Sequence, residues 1–202
     1  MSDRMALRVA IDLLHVPSQV RVVRSEPLPD GVPMLLHIAA GDDEAERAAA
    51  ALTDRSRDIV RRAATFYIEQ ILFASNADSY QVLGASPRAS AAELRHNVAL
   101  LLRWLHPDLD PHGERSIFIS RVTGAWNNLK TPERRAAYDD TLRYANDRKA
   151  RFKATRWSGR KKMAAALRRR NGQGKDPTSM YGVEKVGFFR RALAIFLHRP
   201  VI

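Results

Sequence analysis

The sequence contains no cysteine, which excludes disulfide bonds and thiolate metal sites. Long apolar runs are also missing, since a run such as residues 192–197 is far shorter than the roughly 20 residues of a membrane-spanning helix. The first residues lack the charged, apolar and small-residue regions of a signal peptide. We therefore expect a soluble, cytoplasmic protein.

Negative charge is scarce at one end of the chain only. Lys and Arg against Asp and Glu give a net charge of −2 for residues 1–77, 0 for residues 78–140 and +14 for residues 141–202. The C-terminal part thus carries the whole excess of +12. This asymmetry predicts a globular front and a basic appendage that attracts an anionic partner.

The N-terminal residues 1–77 are predicted to form a mostly helical domain. After Gly41, apolar or small side chains recur at alternating spacings of four and three as far as Phe73. Asp42 and the acidic residues after it supply an N-terminal cap and favourable charge. The pattern predicts one long amphipathic helix of about 30 residues whose apolar stripe packs on its own chain.

Residues 78–140 show the punctuation of four shorter helices. Gly84 suits the C-terminal end of the first helix, and Ser90 with Glu93 has the spacing of a capping box at the start of the second. The third helix is predicted over residues 116–130, and Pro132 stands at the first position of a fourth. We expect the second and third helices to pair as an antiparallel hairpin.

The tripeptide His106-Pro107-Asp108 ends the second of these helices. Proline explains the end, because it lacks an amide hydrogen and disfavours helical geometry in the preceding residue, but it leaves the histidine and the aspartate unexplained. A calcium loop that starts at Asp108 fails at its twelfth position, where Ile119 replaces the required glutamate. The six histidines show no zinc-ligand spacing, so we predict no metal site.

Catalytic patterns are equally weak. No serine lies in a nucleophile elbow, and no acid–base constellation can be assembled from the sequence. The glycine-rich residues 172–175 lack the preceding strand and the following hydroxyl residue of a phosphate loop. We predict no catalytic residue, no cofactor and no small-molecule substrate, and hence a protein that is not an enzyme.

Further residues with a family pattern flank the tripeptide in order. They are Tyr80, Leu83, Gly84, Ala89, Ser90, Glu93, Leu94, Phe118, Val122, Ala125, Trp126, Leu129, Pro132, Arg135, Tyr138 and Asp139. Together with the tripeptide, they make residues 78–140 resemble a J domain, the module of DnaJ-type cochaperones. A lone tripeptide recurs by chance, so the flanking pattern carries the resemblance.

The resemblance implies that the domain binds the ATP-bound state of a DnaK-type, seventy-kilodalton heat-shock chaperone and accelerates its ATP hydrolysis. Asp108 would then offer a carboxylate to a partner arginine, Pro107 would hold the loop in a preformed shape, and His106 would hydrogen-bond at the interface. The other implied partner-binding residues, all on the second helix, are Arg95, His96 and Arg103. The implied structural core comprises Tyr80, Leu83, Leu94, Val98, Leu101, Leu105, Phe118, Val122, Ala125, Trp126, Leu129 and Tyr138.

The second helix departs from the basic face that is usual in the family. Ala99, Leu100 and Trp104 stand where basic residues are common, while Arg103 replaces a more usual apolar residue. Because this face carries fewer positive charges, we expect slower association with an acidic surface of the chaperone. Leu100 and Trp104 either form an exposed apolar strip or pack against the long N-terminal helix, and we favour the packing.

The basic tail, residues 143–202, is predicted to be partly disordered and to end in a short amphipathic helix that contains residues 188–197. Residues 148–199 are predicted to bind nucleic acid or an anionic membrane surface. The amphipathic helix itself either lies on a membrane surface or docks on the N-terminal helix, and we favour the docking. Trp157 alone gives little support for base stacking.

The prediction is an all-α protein with an N-terminal helical domain at residues 1–77, a J domain at 78–142 and the tail. No glycine/phenylalanine-rich linker, Cys-x-x-Cys repeat or β-rich client-binding region follows the J domain in this sequence. The predicted function is therefore that of a specialised cochaperone whose flanks direct it to one unknown client or site. The alternative is a scaffold or a protein that binds nucleic acid or an anionic surface, with a J-like fold that no longer stimulates a chaperone.

Overall fold

The structure, a computed structural model, describes residues 3–106, 108–109 and 113–172. All regular secondary structure in these residues is helical, which confirms the predicted all-α class. The first elements are α1 (Asp3–His15), a 3-10 turn (Pro17–Gln19), α2 (Val20–Val23), α3 (Val32–Ala39), α4 (Asp43–Thr53), α5 (Arg57–Tyr67) and a π-helical turn (Ile68–Leu72). They are followed by α6 (Ser79–Val82), α7 (Ala91–Trp104), a 3-10 turn (Glu114–Phe118), α8 (Ile119–Leu129) and α9 (Pro132–Gly172).

The prediction of one long helix after Gly41 is wrong, because the segment forms two helices. Asp54 ends α4 in the left-handed region with φ 53°, a conformation that an α-helix cannot continue through. Ser56 then caps α5 by accepting the amide hydrogen of Ile59. The break lets α5 fold back on α4 instead of extending away from it.

A buried carboxylate joins α4 to α5. Glu46 is only 1% exposed, and it accepts hydrogen bonds from Arg61 Nε at 2.7 Å and from Arg57 Nη2 at 3.0 Å. The hydrogen bond from Arg61, followed by that from Arg57, holds the pKa of Glu46 below its ordinary value of 4.5 against the opposing effect of burial. The ionised form of Glu46 is therefore the form that stabilises this helix pair.

The second half of the chain forms the predicted helical hairpin. Ser90 and Glu93 make both hydrogen bonds of the capping box at the start of α7, as predicted. The third predicted helix is split into a 3-10 turn followed by α8, and α7 and α8 pack against each other. The short α6 packs on α8, and its end at Gly84 leaves no room for a β-carbon, which would lie 2.9 Å from Val32 of α3.

One hydrophobic core serves the N-terminal helices and the hairpin together. The chain divides into two compact units, residues 1–147 and 148–202, so the predicted boundary between residues 77 and 78 falls inside the first unit. The core of this unit includes Leu7, Leu36 and Tyr67 as well as Leu94 and Val122, which are all buried. The first unit therefore contains the whole site described below.

The last described helix, α9, continues to Gly172. Residues 143–172, which the sequence pattern assigns to a partly disordered tail, are thus helical. The amphipathic helix predicted over residues 188–197 lies outside the described residues. Among the helices that are described, none combines the length and the apolar character needed to cross a membrane.

Replacing Glu46 by glutamine should make the free energy of unfolding less dependent on pH in the acid range. Because the folded-state pKa of Glu46 is lowered, its contribution is fully present above pH 4.5 and is lost as the pH falls further. The difference in unfolding free energy between wild type and Glu46→Gln, measured by urea denaturation from pH 7 to pH 3, should shrink below about pH 4.5.

The exposed carboxylate of Glu26, in the turn after α2, provides the control. Glu26→Gln should change stability by less than about 0.5 kcal/mol across this range. A difference for Glu46→Gln that stays constant down to pH 3 would contradict the role assigned to its carboxylate.

Candidate functional site

The loop after α7 folds into a compact turn that presents its histidine and its aspartate to solvent. The amide of His106 donates to the carbonyl of Arg103 at 3.1 Å, and the amide of Leu109 donates to the carbonyl of His106 at 2.9 Å. The side chains of His106 and Asp108 are 60% and 86% exposed. Pro107 lies outside the described residues.

His106 and Asp108 also contact each other. Nδ1 of His106 lies 3.3 Å from the backbone nitrogen of Asp108 and 3.2 Å from its carboxylate oxygen Oδ2. A neutral imidazole accepts the amide hydrogen at Nδ1, whereas a protonated one donates to the carboxylate. In either state most of the Asp108 carboxylate remains open to a cationic donor from a partner.

An exposed strip on α7 leads along the helix to this loop. Its members recur at spacings of three and four residues, which places them on one face. They are Ala92, Arg95, His96, Ala99, Leu102, Arg103 and, just beyond the helix, His106. The structure thus brings the predicted residues Arg95, His96, Arg103, His106 and Asp108 to one continuous surface.

The opposite face of α7 is buried and holds Leu100 and Trp104. Leu100 is 9% exposed and Trp104 is 1% exposed, so they do not form an exposed apolar strip. The predicted long N-terminal helix on which they were expected to pack is absent, because that segment forms two helices. The Trp104 ring stacks on Phe73, with centroids 5.9 Å apart, and on Phe118 at 6.3 Å. Arg115 covers the indole with its guanidinium carbon 4.9 Å from the ring centroid.

A histidine pair joins α7 to α3 beside the exposed strip. Nε2 of His96 lies 3.0 Å from Nε2 of His37, whose Nδ1 lies 2.9 Å from Oδ2 of Asp42. When Nδ1–H of His37 donates to the carboxylate, Nε2 of a neutral His37 accepts from Nε2–H of His96. The backbone amide of Ala45, followed by His37, holds the pKa of Asp42 below its ordinary value, which keeps the acceptor ionised.

The residues that form the implied domain core lie inside the molecule. Phe118, Trp126 and Tyr138 are partly buried and pack on the core. The other nine are buried, namely Tyr80, Leu83, Leu94, Val98, Leu101, Leu105, Val122, Ala125 and Leu129.

Polar contacts fix α6 and α9 to each other. The hydroxyl of Tyr80 donates to Asp139 at 2.7 Å and accepts from Arg135 Nε at 2.9 Å. Tyr138 accepts the backbone amide hydrogen of Ser79 at 2.7 Å. Arg121 of α8 donates hydrogen bonds to the backbone carbonyls of residues 73 and 74. These bonds hold the segment that precedes α6 against α8.

Sequence reasoning missed Leu102 and Leu109 as members of the exposed surface. Their side chains are 43% and 38% exposed, and they line an open groove together with Arg103, His106 and Asp108. The signal for Leu102 was present, because it falls three and seven residues after Ala99 and Arg95 on the helix. Leu109 follows the tripeptide directly, but its orientation depends on a turn that the sequence does not specify.

Among the described residues, no group of three or more His, Asp or Glu side chains is arranged to hold a metal ion. The arrangement at the loop instead offers an exposed carboxylate, an imidazole, two arginines and apolar side chains on a rigid helix. Such a set suits recognition of another macromolecule more than chemistry on a small substrate.

Residues 78–139 match the family model described as the DnaJ domain. Chaperone protein DnaJ of Leifsonia xyli subsp. xyli is 38% identical over 63 residues, which cover 31% of this chain and 17% of that protein. Chaperone protein DnaJ of Rickettsia felis is 35% identical over 75 residues, which cover 35% of this chain and 20% of that protein. Chaperone protein DnaJ 1 of Mycobacterium tuberculosis is 41% identical over 70 residues, which cover 33% of this chain and 17% of that protein.

This chain therefore spans only 17% to 20% of the length of those three relatives. No solved structure matches the chain. The comparisons confirm the resemblance inferred for residues 78–140 from the tripeptide and its flanks. The family model does not extend to the N-terminal helices or to the basic part of α9, residues 148–172, which is called the basic helix below.

The contact between His37 and His96 should appear as an energetic coupling between α3 and α7. In a double-mutant cycle of His37→Ala, His96→Ala and the double variant, we expect a coupling of about 0.5–1 kcal/mol in unfolding free energy. His15, whose Nδ1 lies 2.7 Å from the Ile11 carbonyl in its own helix, gives the control cycle with His96. A coupling in the test cycle no larger than in the control would show that the pair does not join the helices.

Proposed function

We propose that this chain, whose residues 78–139 are a DnaJ (J) domain, is a cochaperone that binds a DnaK-type chaperone and stimulates its ATP hydrolysis. The observation that carries the proposal is the exposed His106–Asp108 turn at the end of a rigid α7, within a J domain. The DnaJ names of the relatives support it at the level of the family.

The proposed mechanism places the chemistry in the partner. Asp108 accepts a charge-assisted hydrogen bond from a partner arginine, and His106 hydrogen-bonds beside it. Pro107 limits the conformations of the loop, so less conformational entropy is lost when the loop docks. Docking favours the hydrolysing conformation of the chaperone over its resting one, because the contacts form better with the former.

Arg95 and Arg103 on the strip supply the remaining positive charge that faces the partner. Both are exposed and lie on the face that leads to the loop. The large side chains at positions 100 and 104 are buried and cannot contribute. Long-range attraction to an acidic partner surface is therefore weaker than on a fully basic face.

The N-terminal helices support a specialised role. They pack into the core of the J domain, contact α7 through His37 and leave the loop exposed. We propose that this part of the protein, together with the basic helix, directs the chaperone to a particular client or site. It would do so without the client-binding regions of a general DnaJ protein.

A second candidate function is binding to nucleic acid through the C-terminal part of α9. Residues 148–172 include eleven Lys or Arg and no Asp or Glu. The side chains of Arg148, Lys149, Arg151 and Lys162 are exposed. A helix with this charge suits phosphate contacts, which release counterions and depend strongly on salt.

Substitution of Asp108 tests the proposed cochaperone function. In single-turnover ATP hydrolysis by a DnaK-type chaperone from the same source, wild-type protein should raise the rate at least about tenfold, and Asp108→Asn should abolish most of that increase. Asp58→Asn removes a carboxylate of α5 that is 71% exposed and should leave the stimulation unchanged. Equal rates with chaperone alone, with wild type and with Asp108→Asn would refute the function.

Charge reversal on the basic helix tests the second candidate. Arg148→Glu with Arg151→Glu should weaken retention of a short DNA duplex and reduce the slope of log affinity against log salt by about two. The matched control, Arg95→Glu with Arg103→Glu, should leave retention unchanged. Wild-type protein that does not retain DNA at low salt, or variants that lose no affinity, would reject this function.

A further inference from the structure

Four exposed apolar side chains occur close in sequence to the His106–Asp108 turn, and two of them, Leu102 and Leu109, line a groove with His106 and Asp108. Leu102 is 43% exposed, Leu109 38%, Ile117 69% and Ile119 41%. They are four of the eleven large apolar side chains that the described part of the chain exposes, and they lie within 18 residues of one another. Single exposed apolar residues need no explanation, but a group of them beside a polar site indicates an interaction surface.

Two of these side chains, Leu102 and Leu109, line an open groove with a volume of about 540 Å³. Its lining consists of Leu102, Arg103, His106, Asp108 and Leu109. The groove therefore places apolar walls directly beside the carboxylate and the imidazole of the loop. A side chain that enters it lies next to any group that bonds to Asp108.

The loop wall of the groove is held in place. The amide of Leu109 donates to the His106 carbonyl at 2.9 Å, and Arg115 Nη1 donates to the Leu109 carbonyl at 3.1 Å. The Leu109 side chain lies against Gly41, where an added β-carbon would be 3.7 Å from its Cδ2. Leu102 stands on α7 itself, so both walls are positioned before a partner arrives, which lowers the cost of binding.

Charge on this face of α7 is sparse, so electrostatic attraction alone is a weak source of affinity. Only Arg95 and Arg103 are cationic on the exposed strip apart from its histidines, and Ala99 and Leu102 stand between them. The groove is continuous with the loop that we assign to chaperone binding. An apolar partner group is the chemistry that these walls fit, because it buries both leucines and leaves the polar groups free for hydrogen bonds.

We propose that the groove between Leu102 and Leu109 binds an apolar side chain of the DnaK-type chaperone, next to the basic group that contacts Asp108. This inference rests on the proposed cochaperone function, and it identifies the apolar contact in the groove as the interaction that selects the chaperone. Affinity comes mainly from apolar burial in the groove, whereas stimulation comes from the loop. The protein therefore favours chaperones with an apolar residue at that point of the docking surface, and salt affects the association little.

The test measures single-turnover ATP hydrolysis against cochaperone concentration. In Leu102→Gln with Leu109→Gln, the half-maximal concentration should rise at least about tenfold, with the plateau rate unchanged. Leu52, which is 39% exposed at the end of α4, supplies the matched control Leu52→Gln, which should behave as wild type. Raising KCl from 50 to 200 mM should change the wild-type half-maximal concentration less than about twofold.

The contrary results distinguish a failure of this inference from a failure of the proposed cochaperone function. If the double variant keeps the wild-type half-maximal concentration while Asp108→Asn abolishes stimulation, the groove is not the docking site and the cochaperone function stands. A strong salt dependence of the wild type overturns the inference in the same way. A wild-type dimer in sedimentation that the double variant dissociates would assign the groove to a second copy, and a wild type without stimulation removes both proposals.

Discussion

The burial of Trp104 is the interaction on which the arrangement of the site depends. Its indole packs on both Phe73, which follows the N-terminal helices, and Phe118, which precedes α8, and these two rings also stack on each other. Each aromatic pair contributes about 0.5–1.5 kcal/mol beyond the area it buries, and loss of a buried tryptophan side chain costs about 3–5 kcal/mol. The same ring therefore holds the end of α7, and with it the loop, against two other parts of the chain.

This packing determines which face of α7 remains available to a partner. Because Leu100 and Trp104 face inward, the exposed strip runs through Arg95, Ala99 and Leu102 to His106. The contact between His96 and His37 adds a polar link on the edge of that strip. The N-terminal helices contact α7 through α3, and the face of α7 that stays exposed is a short mixed surface with a groove at its end.

Local signals in the sequence were sufficient to predict where several helices of the J domain begin and end. The capping box at Ser90, the end of α6 at Gly84 and the start of α9 at Pro132 all depend on residues within one helical turn, and the structure has them as predicted. The break at Asp54 was missed because apolar spacing continues across it, while the left-handed conformation of one residue leaves no mark in that spacing.

Long-range features had no comparable signal. His37 and His96 are 59 residues apart, and neither shows from the sequence that it has a partner. The shared core of the N-terminal helices and the J domain depends on how the faces of α3 and α5 meet α7 and α8, which periodicity alone does not determine. Leu102 was within reach of helical spacing, but its importance is apparent only once the adjacent positions are known to be buried.

Hydrogen exchange of the full-length protein with and without an ATP-bound DnaK-type chaperone tests the central claim most directly, because it maps the docked face. We expect backbone amides of residues 99–109 to exchange more slowly in the complex, while those of α3 keep their exchange rates. Unchanged exchange over residues 99–109, or faster exchange in α3 as it leaves α7, would contradict the account.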